Sequence, residues 1–371
     1  KRMIRAMSRE LKEFNLIIVN TDTIHFEIAN LIHELSSKNK IILNYVGGKK
    51  LFFEDLITNS CQAILYNSNS KPKNLKHASQ IVFGGLSCSN SLASDLCKNF
   101  QSGDGLSTKK TRLSYLDPEE IDINDSILYK IDSIINNGIN KRAMPGCQIL
   151  AAKDGNVFFN KSYGNHTYDS SSKKVENSDI YDLASITKIA SSALILMQLE
   201  SKNRFSVDST LGYYLPEILD STDYKDLVLK DILTHQAGLA SWIPFYVKTL
   251  NDGMPSYELY SKLPSNIHQS LVAKNLYMLS SYRDTIFERI LSTNVNKNKK
   301  YKYSDVGYYF INEIIKKITF NSQDLIAENI YNKIGLQNIG YNPLNKWDLS
   351  RITPTENDTF FRHQLIHGYV H

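Results

Sequence analysis

The chain has few cysteines, no long apolar run and no concentration of charge of one sign. Its four cysteines, Cys61, Cys88, Cys97 and Cys147, follow no metal-binding spacing. Four in 371 residues do not make a disulfide framework either. Cys88 and Cys97 lie close enough in sequence to pair, but all four read as buried thiols. No stretch reaches the roughly 18 apolar residues that a membrane-spanning helix requires. The net charge of +5 is mild for this length, and no basic stripe is interleaved with aromatics, which argues against nucleic acid as a partner. There is no internal repeat. A signal peptide is also missing, and the first residue is Lys1 rather than Met. We expect a fragment of a longer protein, whose compartment is not legible from this N-terminus.

What is present suits a packed protein of more than one domain. Hydrophobic residues at 42% and charged residues at 22% are ordinary globular values, so a core is expected. The length favours two or three domains. Over the first hundred residues, short apolar runs (Leu16–Val19, Ile41–Leu43, Ala63–Leu65) alternate with helical segments (Ile4–Phe14, Ile24–Ser37, Leu75–Phe83). That alternation predicts βαβ units and a parallel sheet. The Ser-, Asp- and Gly-rich segment Asn90–Thr111 then reads as loop and linker.

The run Gln80-Ile81-Val82-Phe83-Gly84-Gly85, with Gly103-Asp104-Gly105 behind it, resembles the C-terminal α/β domain of family 3 glycoside hydrolases. The resemblance implies a doubly wound parallel α/β domain over residues 1–105, with 106–122 as linker. Asn90-Ser91-Leu92-Ala93 departs from the family, which has a Gly, a basic residue and Leu-Pro there. The family's catalytic barrel would lie upstream, so this domain is expected to be structural within the chain.

A second domain, expected over 123–371, opens with the amphipathic stretch Asp125–Asn137. Two alternating runs, Pro145–Ala152 and Val157–Phe159, flank Asp154-Gly155-Asn156 and predict a hairpin. Helical periodicity follows in Ser185–Leu199 and Tyr308–Ile318. Ser185-Ile186-Thr187-Lys188 opens the first of these helices. Three positions apart, serine and lysine share a helix face. The free N–H groups of a helix start favour negative charge there. A lysine desolvated against the apolar face would favour its neutral form and take the serine proton. The spacing alone is common, as Ser37/Lys40 and Ser107/Lys110 show. Position distinguishes Ser185, although a serine at a helix start is as readily an N-cap.

Two further elements follow in order: Leu233-Thr234-His235-Gln236-Ala237-Gly238-Leu239, and Tyr303-Ser304-Asp305 before the second helix. The ordered set strongly resembles the serine β-lactamase and penicillin-binding-protein superfamily, in its class C and esterase branch. Leu215-Pro216-Glu217-Ile218 and Ile330–Leu336 before Asn338-Ile339-Gly340 match its connecting segments. The resemblance spans about Asp125 to His371 and implies an α+β domain, an antiparallel sheet beside a helical region. It implies Ser185 as acyl-forming nucleophile, with Lys188 and Tyr303 sharing the acid/base work and the Ser185 amide supplying half an oxyanion hole. Asp305 stands where these enzymes usually have Asn, at a substrate-facing position, and an acid there removes a donor amide. His235 is expected to be structural beside the Gly238 turn, because Lys188 fills the base role. Trp242, Phe245 and Tyr246 line the cleft or pack in the core; Trp242 and Tyr246 are candidate substrate contacts. No metal or cofactor is implied.

The third family motif, a Lys or His two residues before a Gly on a sheet strand, is missing after Tyr303. Lys333-Ile334-Gly335 matches the pattern but is expected to end a helix. Pro354–His371 reads as the approach to that motif, so the sheet is expected to be incomplete and the sequence truncated at both ends. The expected function is a serine hydrolase acting on an ester or amide, within a fused glycosidase–hydrolase of the cell envelope or periplasm that takes small cell-wall or glycan-derived substrates. The alternatives are a penicillin-binding or β-lactamase activity, and a non-catalytic module of a glycosidase.

Overall fold

The apolar runs of the first seventy residues become three strands, β1 (Leu16–Thr21), β2 (Lys40–Val46) and β3 (Ala63–Asn67). They pair in parallel in the order β1-β2-β3, with Leu16 opposite Lys40 and Ile42 opposite Ala63. These and the following relationships come from a computed structural model that describes residues 2–47, Leu51 and 53–371. Helix α1 (Arg2–Leu11) precedes the sheet; α2 (Phe26–Ser36) and α3 (Glu54–Thr58) make the crossovers, and α4 (Pro72–Val82) follows. Ile41, Leu43 and Tyr45 of the central strand are buried with Ala29, Ile32 and Leu35 of α2 and Ile57 of α3. A β-branched, leucine-rich strand flanked by amphipathic helices has little other way to bury both faces.

The chain divides into two compact units, Lys1–Asn137 with Gln148–Lys161, and Gly138–Cys147 with Ser162–His371. This division differs from the 1–105 domain and 106–122 linker that the resemblance implies, for two reasons. Strand β4 (Ser114–Tyr115) lies in the expected linker and pairs with β6 (Asn156–Gly164), which is followed in the sheet by β5 (Gly146–Lys153). The Gln80 side chain also holds Tyr115 through both its carbonyl and its amide. At the β5–β6 turn, Asp154 and Gly155 both have positive φ, +50° and +76°, the backbone a two-residue hairpin demands. The cysteines are free and half-buried rather than buried, and burial still pushes the Cys61 thiol up to about 11.

The second unit is mainly helical. Helix α5 (Tyr129–Asn140) leads toward it, and α6 (Leu194–Ser201), α7 (Leu211–Tyr214), α8 (Pro216–Leu219), α9 (Leu229–Leu233), α10 (Tyr282–Leu291), α11 (Val306–Thr319) and α12 (Gln323–Lys333) belong to it. Short antiparallel pieces complete the fold: β7 (Leu250–Asn251) with β8 (Met254–Pro255), β9 (Tyr260–Ser261) with β10 (His268–Ala273) and β11 (Leu276–Leu279), and β12 (Glu356–Asp358) with β13 (Gln364–Ile366). Helix α11 is the centre of the core. It buries Val306, Phe310, Ile311, Ile314 and Ile315 at helical spacing, against Ile195, Leu211, Leu229 and Ile232. Gly307 lets the start of α11 approach α9 closely, since a Cβ there would overlap Ile232. That contact sets where Tyr303 and Asp305, just before α11, come to lie.

Candidate active site

The segment Ser185–Leu199 was expected to be one helix. Instead it forms a 3₁₀ turn (Ala184–Ile186), a π-helical stretch (Lys188–Ala193) and then α6. Side chains account for the wide turn. Tyr331 donates to the Ala190 carbonyl at 2.9 Å, Tyr341 donates to Ser191 Oγ at 2.8 Å, and the Gln323 amide reaches Ser191 and Ser192 at 3.1 and 3.0 Å. Both serines are buried, so these bonds supply partners that solvent cannot. Before the turn, Ala184 has φ +43°, an uncommon conformation for a residue with a Cβ, and its amide donates to Asp182 at 2.8 Å. Nothing in the sequence signals that backbone. It leaves Ser185 exposed at the head of the turn.

The structure brings Ser185, Lys188, Tyr303 and Asp305 together. Ser185 Oγ is 2.7 Å from Lys188 Nζ and 2.6 Å from Tyr303 Oη. Lys188 Nζ is also 2.6 Å from Asp305 Oδ1 and lies over the rings of Tyr303 and Tyr308, 5.1 and 5.3 Å from their centroids. Its side chain is 15% exposed, so desolvation presses toward the neutral amine, as the sequence suggested. The Asp305 carboxylate and Tyr303 outweigh that pressure, and the Lys188 ammonium is held above its ordinary range. The expectation that burial leaves Lys188 neutral is therefore corrected: the acid at position 305 reverses the sign. Asp305 is turned to the lysine, and its own amide is fixed by donating to the Ser241 carbonyl at 2.8 Å.

Trp242, next to Ser241, is 60% exposed. Tyr246 is half-buried and its ring stacks on Phe361 at 5.4 Å. Phe245 packs against the core of α11, with its carbonyl accepting from Tyr282 and Arg289. Lys333-Ile334-Gly335 ends α12, with Gly335 at φ +75°, as expected of a helix C-cap. His235 sits beside Tyr303 with ring centroids 4.4 Å apart. Burial first, then the positive charge of Lys188, lower its pKa, against a weaker opposing pull from Asp305. Among the described residues, no group of three or more His, Cys, Asp or Glu side chains could hold a metal ion.

The chain resembles known proteins over more than half of its length. A 27% identity over 233 residues relates it to an N-acetylmuramyl-L-alanine amidase of Bacillus subtilis, covering 59% of this chain and 47% of the relative. The same identity over 270 residues relates it to a putative D-alanyl-D-alanine carboxypeptidase of Salmonella paratyphi A, covering 69% and 57%. The chain thus spans about half the length of the curated relatives it matches. Among solved structures, FmtA from Staphylococcus aureus aligns at 21% identity with a TM-score of 0.44, over 71% of this chain and 62% of that one. The beta-lactamase family model matches residues 131–355, more than half of the chain. By that match the chain belongs to the beta-lactamase family, within the superfamily of β-lactamase-like and penicillin-binding-protein-like serine hydrolases.

Proposed function

We propose that this chain carries a serine acyl-hydrolase site in which Ser185 Oγ attacks an ester or amide carbonyl. The observation that carries the reading is the position of Ser185 Oγ between Tyr303 Oη at 2.6 Å and Lys188 Nζ at 2.7 Å. The step uses Tyr303 as its phenolate, stabilised by the Lys188 ammonium: as the Oγ–carbonyl bond forms and the carbonyl π pair moves onto its oxygen, the Ser185 proton passes to the Tyr303 phenolate oxygen. Lys188, kept cationic beside Asp305, compensates the negative charge that moves through the Ser185–Tyr303 pair. The tetrahedral intermediate collapses by breaking the bond to the leaving group, which takes the proton from Tyr303. Water then attacks the acyl-enzyme by the same proton path in reverse and frees the acid. The Ser185 amide is read as one oxyanion donor.

The class C and esterase branch is the finer assignment we favour, with Trp242 and Tyr246 as substrate contacts. Asp305, in place of the usual asparagine, offers no amide to a substrate, which weighs toward esters over β-lactams or D-alanyl amides. The first hundred residues, with their parallel β1-β2-β3 sheet and the Phe83-Gly84-Gly85 turn, support a doubly wound domain of the family 3 glycoside hydrolase C-terminal type. On that reading the hydrolase is one half of a fused glycosidase that works on cell-wall or glycan-linked acyl groups in the envelope or periplasm. The names of the curated relatives, an amidase and a putative D-alanyl-D-alanine carboxypeptidase, support a cell-wall substrate. They also favour a second reading, a penicillin-binding activity. Incubation with a short-chain p-nitrophenyl ester and with a fluorescent penicillin separates the two. Ester turnover without a stable penicillin adduct supports the esterase, and a stable adduct on Ser185 supports the second reading.

A further inference from the structure

Tyr303 is held from both sides by one residue. The Lys302 amide donates to the His235 carbonyl at 2.8 Å, and the Ser304 amide donates to His235 Nδ1 at 3.2 Å. These are the two backbone amides that flank Tyr303, and the imidazole lies against the phenol ring between them, tilted by 37°. His235 reaches this position from a left-handed backbone at φ +59°, a conformation in which histidine is among the better-tolerated side chains. The two residues between Tyr303 and α11 are tied to the same loop, Ser304 Oγ donating to the Ala240 carbonyl at 2.6 Å and the Asp305 amide to that of Ser241 at 2.8 Å. Gly238 keeps the loop close: its φ is +75°, and a Cβ there would overlap the Asn296 carbonyl.

We propose that His235 is a positioning residue whose neutral imidazole fixes the reach of Tyr303 to Ser185, and that its protonation switches the site off at low pH. The proposal rests on the hydrolase reading above. An amide N–H can donate only to an unprotonated ring nitrogen, so the bond from Ser304 requires neutral His235 with its proton on Nε2. Protonation at Nδ1 removes that acceptor. The Ser304 amide then loses its partner in a residue only 5% exposed, at the position next to Tyr303. The groups that face the imidazole are Lys188 from the π-helical turn, Asp305 and Tyr308 from the start of α11, and the Tyr301 and Tyr303 rings. The Asp305 carboxylate is already engaged by Lys188, so a second cation at His235 finds no free counter-ion among these groups. Burial and Lys188 lower the pKa of His235, which agrees with a neutral ring through the neutral pH range.

The test compares wild type, His235→Ala, His235→Asn and Ser185→Ala by ester-hydrolysis kinetics across pH, with melting temperatures alongside. Asn suits the left-handed backbone, and its Oδ1 takes the place of histidine Nδ1 as acceptor without titrating. His235→Ala is expected to lower kcat on the order of 100-fold, the scale of a roughly 1 Å misplacement, with KM nearly unchanged. His235→Asn is expected to recover about tenfold of that loss and to lose the acidic limb of the kcat profile that wild type shows. Two results overturn the proposal: wild-type kcat in His235→Ala, or an acidic limb in His235→Asn that coincides with that of wild type. Should His235→Ala fail to fold, the pH profile of His235→Asn decides alone. A wild-type protein that neither cleaves the ester nor reacts with a fluorophosphonate at Ser185 overturns the hydrolase reading itself, and this proposal with it.

Discussion

Lys188 Nζ lies 2.6 Å from Asp305 Oδ1 and 2.7 Å from Ser185 Oγ, so a single ammonium joins a carboxylate to the candidate nucleophile. The carboxylate keeps that ammonium charged in spite of its desolvation. In Asp305→Asn the stabilisation is lost and the lysine pKa falls, so the cationic form disappears at a lower pH than in wild type. If activity needs the cation, the alkaline limb of kcat moves to lower pH in Asp305→Asn, and kcat at neutral pH falls. A kcat profile whose alkaline limb stays in place, or moves upward, contradicts a cationic Lys188 in the working site.

A second titration belongs to the first unit. Glu120 is paired with Lys73 at 2.8 Å and His77 at 3.1 Å, and accepts the Asp117 amide at 3.0 Å. Its pKa is lowered from 4.5 to about 2, mainly by the hydrogen bond from Lys73. A carboxyl lowered by folding stabilises the folded state fully above its unfolded value and loses that contribution as pH falls through its folded value. The melting-temperature difference between wild type and Glu120→Gln should therefore be full above about pH 4.5 and vanish toward pH 2. A difference that grows on acidification contradicts the assignment.

The π-helical turn after Lys188 makes a third prediction. Gln323 bonds Ser191, Ser192 and the Tyr341 hydroxyl, and both serines are buried. Gln323→Leu leaves the two hydroxyls with fewer partners and should cost about 1–3 kcal/mol, read as a lower denaturant midpoint. An unchanged midpoint would mean that the network does not hold the turn.

Much of this arrangement was legible in the sequence because it is periodic or local. The strands Leu16–Val19, Ile41–Leu43 and Ala63–Leu65 lie within β1, β2 and β3, and Tyr308–Ile318 lies within α11. The hairpin turn at Asp154-Gly155 followed from residues that accept positive φ. What stayed illegible depends on contacts distant in sequence. The π-helical turn at Lys188–Ala193 is made by Gln323, Tyr331 and Tyr341, which no local pattern could anticipate. The charge state of Lys188 turns on Asp305, a neighbour 117 positions away. The hold of His235 on Tyr303 runs through backbone amides, which carry no residue-type signal.

The most direct test of the central claim is where a covalent adduct forms. The protein and its Ser185→Ala variant are treated with a fluorophosphonate, digested and analysed by mass spectrometry, with p-nitrophenyl ester turnover measured on the same preparations. Loss of a nucleophile typically costs several orders of magnitude in turnover. The account predicts one adduct, on the peptide containing Ser185, together with loss of both labelling and turnover in Ser185→Ala. An adduct on another residue, or undiminished turnover in Ser185→Ala, would contradict it.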